Sequence, residues 1–331
     1  MGAVRSNASR FAGSAVWIPA PRRPWPSVGV VIVTGDRPNL VRRALASVDG
    51  QDYPGSLRTV VVFDEAQPDW TLARSGERPV LVLENWRTPG RAGARNTGIL
   101  AVGDCELVAI CDDRDVWSPK KLTAQVAALR CRPDSVLSTC GVEVEYGNTR
   151  LALQVGRDRM GVADLCTADR RFLHASGFLA VQRSVATDQA RGGIGLLCEN
   201  APAEGEELDL LLRAAKRGPI AHVDQPLVRV LWRPTDLGPG ACLARARALR
   251  WLLSRHPELV DDPDRHARIS AAIACWYAGA GDLARARRFT AVALRRRKWS
   301  GHAHLALAAS SGILGRRLLR VALRRTVSPA S

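Results

Sequence analysis

Val108-Ala109-Ile110-Cys111 runs directly into Asp112-Asp113-Arg114-Asp115, and Val116-Trp117-Ser118-Pro119 follows. An apolar, strand-like run therefore ends in three carboxylates and one arginine. Carboxylates this close repel each other, so the cluster calls for a cation or an opposing charge. At the C-terminal end of a central parallel strand it would lie where α/β sheets bind ligands. The plainer alternative is a solvated turn with an aspartate capping the next helix.

The flanking sequence supplies the sheet. Val28 to Thr34 is a continuous apolar, β-branched run, the pattern of a strand buried on both faces. Thr34-Gly35-Asp36-Arg37-Pro38 breaks it, and residues 39–48 carry helical spacing at Leu40, Ala44, Leu45 and Val48. Strands are expected over 59–63, ending in Asp64-Glu65, and over 79–83. The small residues from Gly90 to Gly98 permit close packing as the chain turns into a helix. A fourth strand, 106–111, delivers the acidic cluster, and a helix over 120–130 follows. This order predicts a doubly wound α/β sheet.

Farther on, alternation predicts an antiparallel strand over 135–146 and another over 172–181. Residues 187–205, rich in Gly, Pro, Asn and Ala, read as a loop long enough to be functional. Residues 206–216 read as a helix with an acidic first turn at Glu206, Glu207 and Asp209. Such residues also complement the helix dipole, which is reason enough for them in a purely structural helix. Short closing strands are expected over 220–223 and 226–231. After Gly240 the periodicity is helical throughout, over 242–256, 265–279, 282–297, 302–311 and 316–325. The turn at Gly281-Asp282 suggests a tetratricopeptide-like hairpin.

Composition bounds the rest. The chain has 331 residues, 46% of them hydrophobic, enough for one large domain and a smaller one. No apolar run approaches the roughly 18 residues of a membrane span, and the N-terminus lacks the apolar core of a secretory signal. Residues 1–26, rich in Pro, Arg and Ser, read as a disordered extension. None of the eight cysteines forms a Cys-x-x-Cys pair, so reduced thiols in a cytoplasmic protein are expected. The net charge is +16. Residues 241–331 hold 18 Arg and Lys against 5 Asp and Glu, and residues 1–26 hold four arginines, which leaves −1 for 27–240. The basic surface thus belongs to the tail, where helices such as 316–325 could lie on an anionic membrane. The other reading is a solvated arginine-rich face. Nucleic acid is not expected, because no aromatic-interleaved basic strand or recognition helix accompanies the charge.

Three features in order, Thr-x-x-Arg-Pro after the first strand, Ala-Arg-Asn-x-Gly-Ile, and Asp-Asp-x-Asp-x-Trp-x-Pro after the fourth, resemble family 2 glycosyltransferases, which have the GT-A fold. Gly205-Glu206-Glu207-Leu208-Asp209-Leu210 is similar to that family's Glu-Asp motif. The resemblance covers about residues 27–235, with a helical C-terminal extension of the kind some bacterial members carry. It implies an inverting, hexosyltransferase-type transfer from a nucleotide-diphosphate sugar to a hydroxyl on a glycan or lipid-linked acceptor, as in cell-surface polysaccharide synthesis. The place of action would be cytoplasmic, peripheral to the inner face of the plasma membrane.

By position, the resemblance implies that Thr34, Asp36, Arg37, Asp64, Glu65, Arg91, Asn96, Asp112, Asp113 and Arg114 bind the nucleotide sugar. Glu207, with Glu206 beside it, would be the catalytic base. Asp113 and Asp115 would hold a divalent metal, Mg or Mn, and Trp117 and His174 would lie on the acceptor side. The chain departs from the family pattern at Arg114, where a third aspartate is common, and at Arg233, where a metal-binding histidine is common. A guanidinium cannot ligate a metal but pairs bidentately with phosphate. Two readings follow. Either the arginines replace the metal's charge in an active enzyme, or a degenerate site binds nucleotide sugar or a partner without turnover. A dinucleotide oxidoreductase is not expected, since Gly-x-Gly-x-x-Gly does not follow the first strand.

Overall fold

The computed structural model describes residues 24–146, 149–165, 174–202, 205–231, 238–296, 304 and 307. Residues 1–23 of the N-terminal extension, Arg233, the expected helix over 316–325 and all but His304 and Leu307 of 302–311 lie outside them.

The first strand, β1 (Val28–Thr34), is buried along its whole length. Alternate residues serve two different cores, as strand geometry requires. Val28, Val30 and Ile32 join one hydrophobic cluster, and Val31 and Val33 the other. That is the physical reason for its unbroken apolar run. Helix α1 (Pro38–Asp49) begins with proline at its first turn and buries Val41, Ala44, Leu45 and Val48, a single helical stripe. Next come β2 (Leu57–Phe63), β3 (Val80–Glu84), α2 (Arg91–Ala101) and β4 (Leu107–Asp112). β1 pairs in parallel with both β2 and β4, and β2 with β3.

The small residues of α2 are explained by proximity. A Cβ on Gly98 would lie 2.2 Å from Val31 Cγ1, and one on Gly93 would lie 1.9 Å from the Thr88 carbonyl oxygen. The helix sits against β1 at a distance that no side chain would permit.

Beyond β4 come β5 (Val116–Trp117), α3 (Lys121–Cys131), β6 (Leu137–Tyr146), β7 (Thr149–Leu153), β8 (Arg159–Met160), α4 (Val162–Leu165), β9 (Leu179–Val181), α5 (Gln182–Ala186), α6 (Glu206–Arg217) and β10 (Ile220–Leu231). Among the described residues, ten strands form one sheet in the order β3-β2-β1-β4-β9-β6-β10-β5, with β7 on β6 and β8 on β10. β9 joins the parallel half to the rest by pairing antiparallel with both β4 and β6.

Three expectations are corrected in detail. β6 is antiparallel to β7 and β9 but parallel to β10. In the described part of 172–181 only Leu179–Val181 is strand, because Ala175–Gly177 form a 3₁₀ turn that carries Ser176 beneath the acidic cluster. The two closing strands are a single β10, whose register shifts between Val223 and Pro226, where proline cannot donate to the ladder.

The helical region comprises α7 (Pro239–Arg255), α8 (Glu258–Asp261), α9 (Pro263–Ala280) and α10 (Leu283–Arg296). Gly281 ends α9 at φ +88, its amide and that of Asp282 returning to the Ala278 and Tyr277 carbonyls. α10 folds back on α9, with Tyr277 and Phe289 stacked at 5.9 Å. The core continues from the sheet into this region. Val31 and Val60 belong to the same hydrophobic cluster as Leu210 and Leu212 of α6, Leu249 and Leu252 of α7 and Ile273 and Tyr277 of α9. No helix of the described residues is long and apolar enough to cross a membrane.

Candidate active site

The parallel strands β1, β2 and β4 finish along one edge of the sheet, and their last residues build the site. Thr34 Oγ1 donates to Asp113 Oδ2 at 2.7 Å, and Arg37 Nε lies 2.8 Å from the same oxygen. Asp113 therefore ties the acidic turn to the end of β1. Asp115 turns the other way, to the Ser176 hydroxyl, which also meets the backbone of Asp112. The Ser176 hydroxyl accepts from the Asp112 backbone N–H at 2.7 Å and donates to Asp115 Oδ2 at 2.5 Å. His174 Nδ1 is 3.3 Å from that carboxylate oxygen.

Arg95 joins this turn to α6. It projects from α2, is fully buried, and donates from Nη2 to Asp112 Oδ1 at 3.0 Å. Its Nη1 lies 3.0 Å from Glu207 Oε1 and 3.7 Å from Glu206 Oε1. One guanidinium thus serves three carboxylates from two separate segments, a geometry that suits its planar fork.

The charges settle accordingly. Burial alone would raise the Asp112 carboxyl, but Arg95 and His174 outweigh it and hold it at about 2. Burial pushes Asp115 up to about 6, against the pull of His174. Burial lowers His174, but Asp115, Asp112 and Glu207 more than reverse that, so its pKa is raised. Glu206 is raised by burial and by Glu207 beside it.

Above the turn opens a cavity of about 390 Å³. Asp112, Asp113, Asp115 and His174 line it on one side, with Arg37, Arg91 and Arg114 supplying three guanidiniums and Val33, Val230 and Leu231 its apolar wall. Arg91 stands at the first turn of α2, after Gly90 at φ +113. The structure thus brings together Arg37, Arg91, Asp112, Asp113, Arg114, Asp115 and His174, with Thr34 behind them and Glu206 and Glu207 joined to them by Arg95. Asp64 holds the approach to α2, accepting from the Gly90 N–H at 3.0 Å and from Asn85 Nδ2 at 2.8 Å. Asp36 and Glu65 are exposed beyond the ends of β1 and β2.

Two expected residues point elsewhere. Asn96 is buried and braces the loop before α6, donating to the Leu197 carbonyl at 2.9 Å and to Glu199 Oε1 at 2.8 Å. The Trp117 ring is 3% exposed, packed in the core beneath the Lys121 ammonium at 3.8 Å. Pairing of β5 with β10 turns it inward rather than toward the acceptor side. Conversely, Arg95 and Ser176 were not singled out from sequence. Arg95 lies within the Ala-Arg-Asn motif, whose sequence alone gives the arginine no role.

The metal expectation changes partners. Asp113 faces Arg37 and Thr34, while Asp112, Asp115 and His174 place ligand atoms within 4.8 Å of one another. Two carboxylate oxygens and an imidazole nitrogen suit a divalent ion such as Mg or Mn.

Residues 29–184 match the family model described as Glycosyl transferase family 2. No curated protein matches the chain. Among solved structures, S. aureus TarS 1-349 in complex with UDP-GlcNAc superposes with a TM-score of 0.59 at 15% identity, over 90% of this chain and 92% of that one. The match to the longer structure of S. aureus TarS covers 55% of that chain. The mannosyltransferase PcManGT from Pyrobaculum calidifontis, in complex with GDP-Man and Mn2+, superposes with a TM-score of 0.51 at 18% identity, over 93% and 89%. At these identities the likeness is one of fold.

Proposed function

We propose, from the match of residues 29–184 to the family model of glycosyl transferase family 2, that the protein is an inverting glycosyltransferase that moves a hexosyl unit from a nucleotide-diphosphate sugar to a hydroxyl of a glycan or lipid-linked acceptor. The observation that carries the reading is the Arg95 bridge. It joins the acidic turn at the head of β4 to the carboxylates at the start of α6, beside a cavity with three arginines.

In this reading Glu207 takes the proton of the acceptor hydroxyl as its oxygen attacks the anomeric carbon. The bond from that carbon to the diphosphate oxygen breaks, and the electron pair leaves with the diphosphate. Arg37, Arg91 and Arg114 meet the growing negative charge. Arg95 fixes where Glu207 stands relative to Asp112. A divalent ion held by Asp112, Asp115 and His174 would add positive charge at the same diphosphate. Arg114 in the acidic turn supports a lesser dependence on that ion than a turn of four aspartates would have.

The exposed arginines of α10, among them Arg288, Arg295 and Arg296, would bring the protein to the anionic inner face of the plasma membrane, where lipid-linked acceptors lie. Sedimentation with anionic liposomes tests this, and a protein that stays in the supernatant refutes it.

Titration calorimetry with UDP-, GDP- and dTDP-sugars, with manganese or with EDTA, tests donor use, followed by assay of sugar transfer. Transfer that survives EDTA supports arginine-based stabilisation. The second reading, binding without turnover, is favoured by Arg114 and by the engagement of Asp113 with Arg37. It is upheld if a donor binds and is neither transferred nor hydrolysed.

A further inference from the structure

Asp209 lies one helical half-turn past Glu207 and points away from the cavity. It is fully buried, yet it is ionised: burial would raise its pKa, but His256, Arg213 and Arg255 together lower it. Arg255 Nε reaches Asp209 Oδ1 at 2.6 Å and His256 Nε2 reaches the same oxygen at 2.9 Å. Both residues come from the end of α7, in the helical region. Arg213 Nε donates to the other oxygen at 2.9 Å, and its remaining nitrogens hold the carbonyls of Ile194, Gly195 and Leu196.

A second, independent contact bears on the same helix end. Trp251, one turn before Arg255, seats its ring against Gly205, the residue that opens α6, where a Cβ would lie 3.4 Å from the ring. The grip extends behind Asp209 as well. His256 Nδ1 and Lys216 Nζ share Glu258 Oε1, at 3.0 and 2.7 Å. α7 and α8 therefore hold α6 at its opening residue, its first turn and its last.

We propose that Arg255 and His256 are positioning residues for the transfer: by holding Asp209 they set α6, and through it the station of Glu207 opposite Arg95. The helical region is then part of the catalytic unit rather than an appended module. The inference rests on Glu207 being the base, and on the continuous core that makes α7 a support for α6. A carboxylate held from three directions cannot rotate its helix, whereas one held by Arg213 alone would leave the first turn free to shift. Misplacement by about 1 Å can cost on the order of 10²-fold in rate.

Two measurements on the full-length chain test it. The first is hydrogen–deuterium exchange, with peptides covering α6, β1 and β2. His256→Leu and Arg255→Met are expected to speed exchange of the hydrogen-bonded amides from Asp209 onward in the N-terminal half of α6 by roughly 10–10²-fold, the worth of one hydrogen bond to a charged group. β1 and β2 should be unchanged, and His256→Gln, which keeps a donor, should restore much of the protection. The second is steady-state kinetics with the nucleotide sugar that the donor screen identifies. There kcat is expected to fall roughly 10–10²-fold with KM nearly constant. If His256→Leu loses protection everywhere, Arg255→Met decides, since that side chain is 41% exposed and its removal opens no core. Unchanged α6 exchange, or a changed KM at constant kcat, overturns the proposal. If no donor is turned over, the kinetic arm counts against the assigned activity, and the exchange arm still decides whether α7 sets α6.

Discussion

Arg95 Nη1 stands 3.0 Å from Glu207 Oε1, with the guanidinium fully buried and its other terminal nitrogen on Asp112. A single cation thus offsets the mutual repulsion of carboxylates from β4 and α6. Arg95→Met would leave those carboxylates facing each other. Breaking a buried pair of this kind costs about 3–5 kcal/mol, so a large fall in urea midpoint and loss of transfer are expected. Arg95→Lys keeps the charge but cannot span both partners, so it should recover stability in part and activity poorly. A fully active, stable Arg95→Met protein would show that the bridge is incidental.

Glu207→Gln removes a proton acceptor at nearly constant shape. A fall in kcat of roughly 10²–10⁴-fold is expected, while affinity for the nucleotide that the donor screen identifies, measured by calorimetry, stays the same. Glu206→Gln should have a smaller effect, because Glu206 is 4% exposed and its closest approach to Arg95 is 3.7 Å. The reverse ranking would move the base to Glu206.

Lys121 predicts a pH signature in the fold. It is fully buried, donates to Gln125 Oε1 at 2.8 Å, and burial lowers its pKa from 10.5 to about 8. Between those values the unfolded chain holds the proton that the folded chain has released. Its contribution to stability therefore rises with pH across that window and is at its least favourable below it. Urea unfolding at pH 7.5 and 9.5 should show the wild type gaining on Lys121→Met by on the order of 1–2 kcal/mol. The Lys121 charge acts on the buried Cys111 and Cys140 thiols, so the same comparison in a Cys111→Ala, Cys140→Ala chain isolates the lysine. A constant difference would mean that the ammonium is not held in this environment.

Gly98→Ala forces a methyl into Val31 and should destabilise by about 1–3 kcal/mol. Val31→Ala in the same chain should recover part of that loss, a coupling that a double-mutant cycle of thermal unfolding measures. Additive effects would contradict the close approach of α2 to β1.

What could be read in advance follows from periodicity. β1 and β4 were legible because strands buried on both faces need unbroken apolar runs, and α6 because its acidic start precedes a clear amphipathic stripe. The acidic turn was legible as a cluster, but its division was not. That Asp113 turns to Arg37, Asp112 to Arg95 and Asp115 to Ser176 depends on the backbone path after β4. β5 was invisible because two residues carry no period, and with it went the inward fate of Trp117. Arg95 was overlooked because an arginine among small residues reads as surface until three carboxylates from distant segments converge on it. The family resemblance pointed to these residues, and only the fold showed which of them lie together and what joins them.

The seam strand has a consequence for how the protein is made. β1 to β4, with α1 and α2, all lie between residues 28 and 112, so a nascent chain can assemble this parallel half from neighbouring segments. Yet one edge of β4 stays bare until β9 arrives, beginning at residue 179, and pairs with it antiparallel. Bare strand edges are where chains mispair. The β4 edge therefore has no partner strand throughout synthesis of residues 113–178.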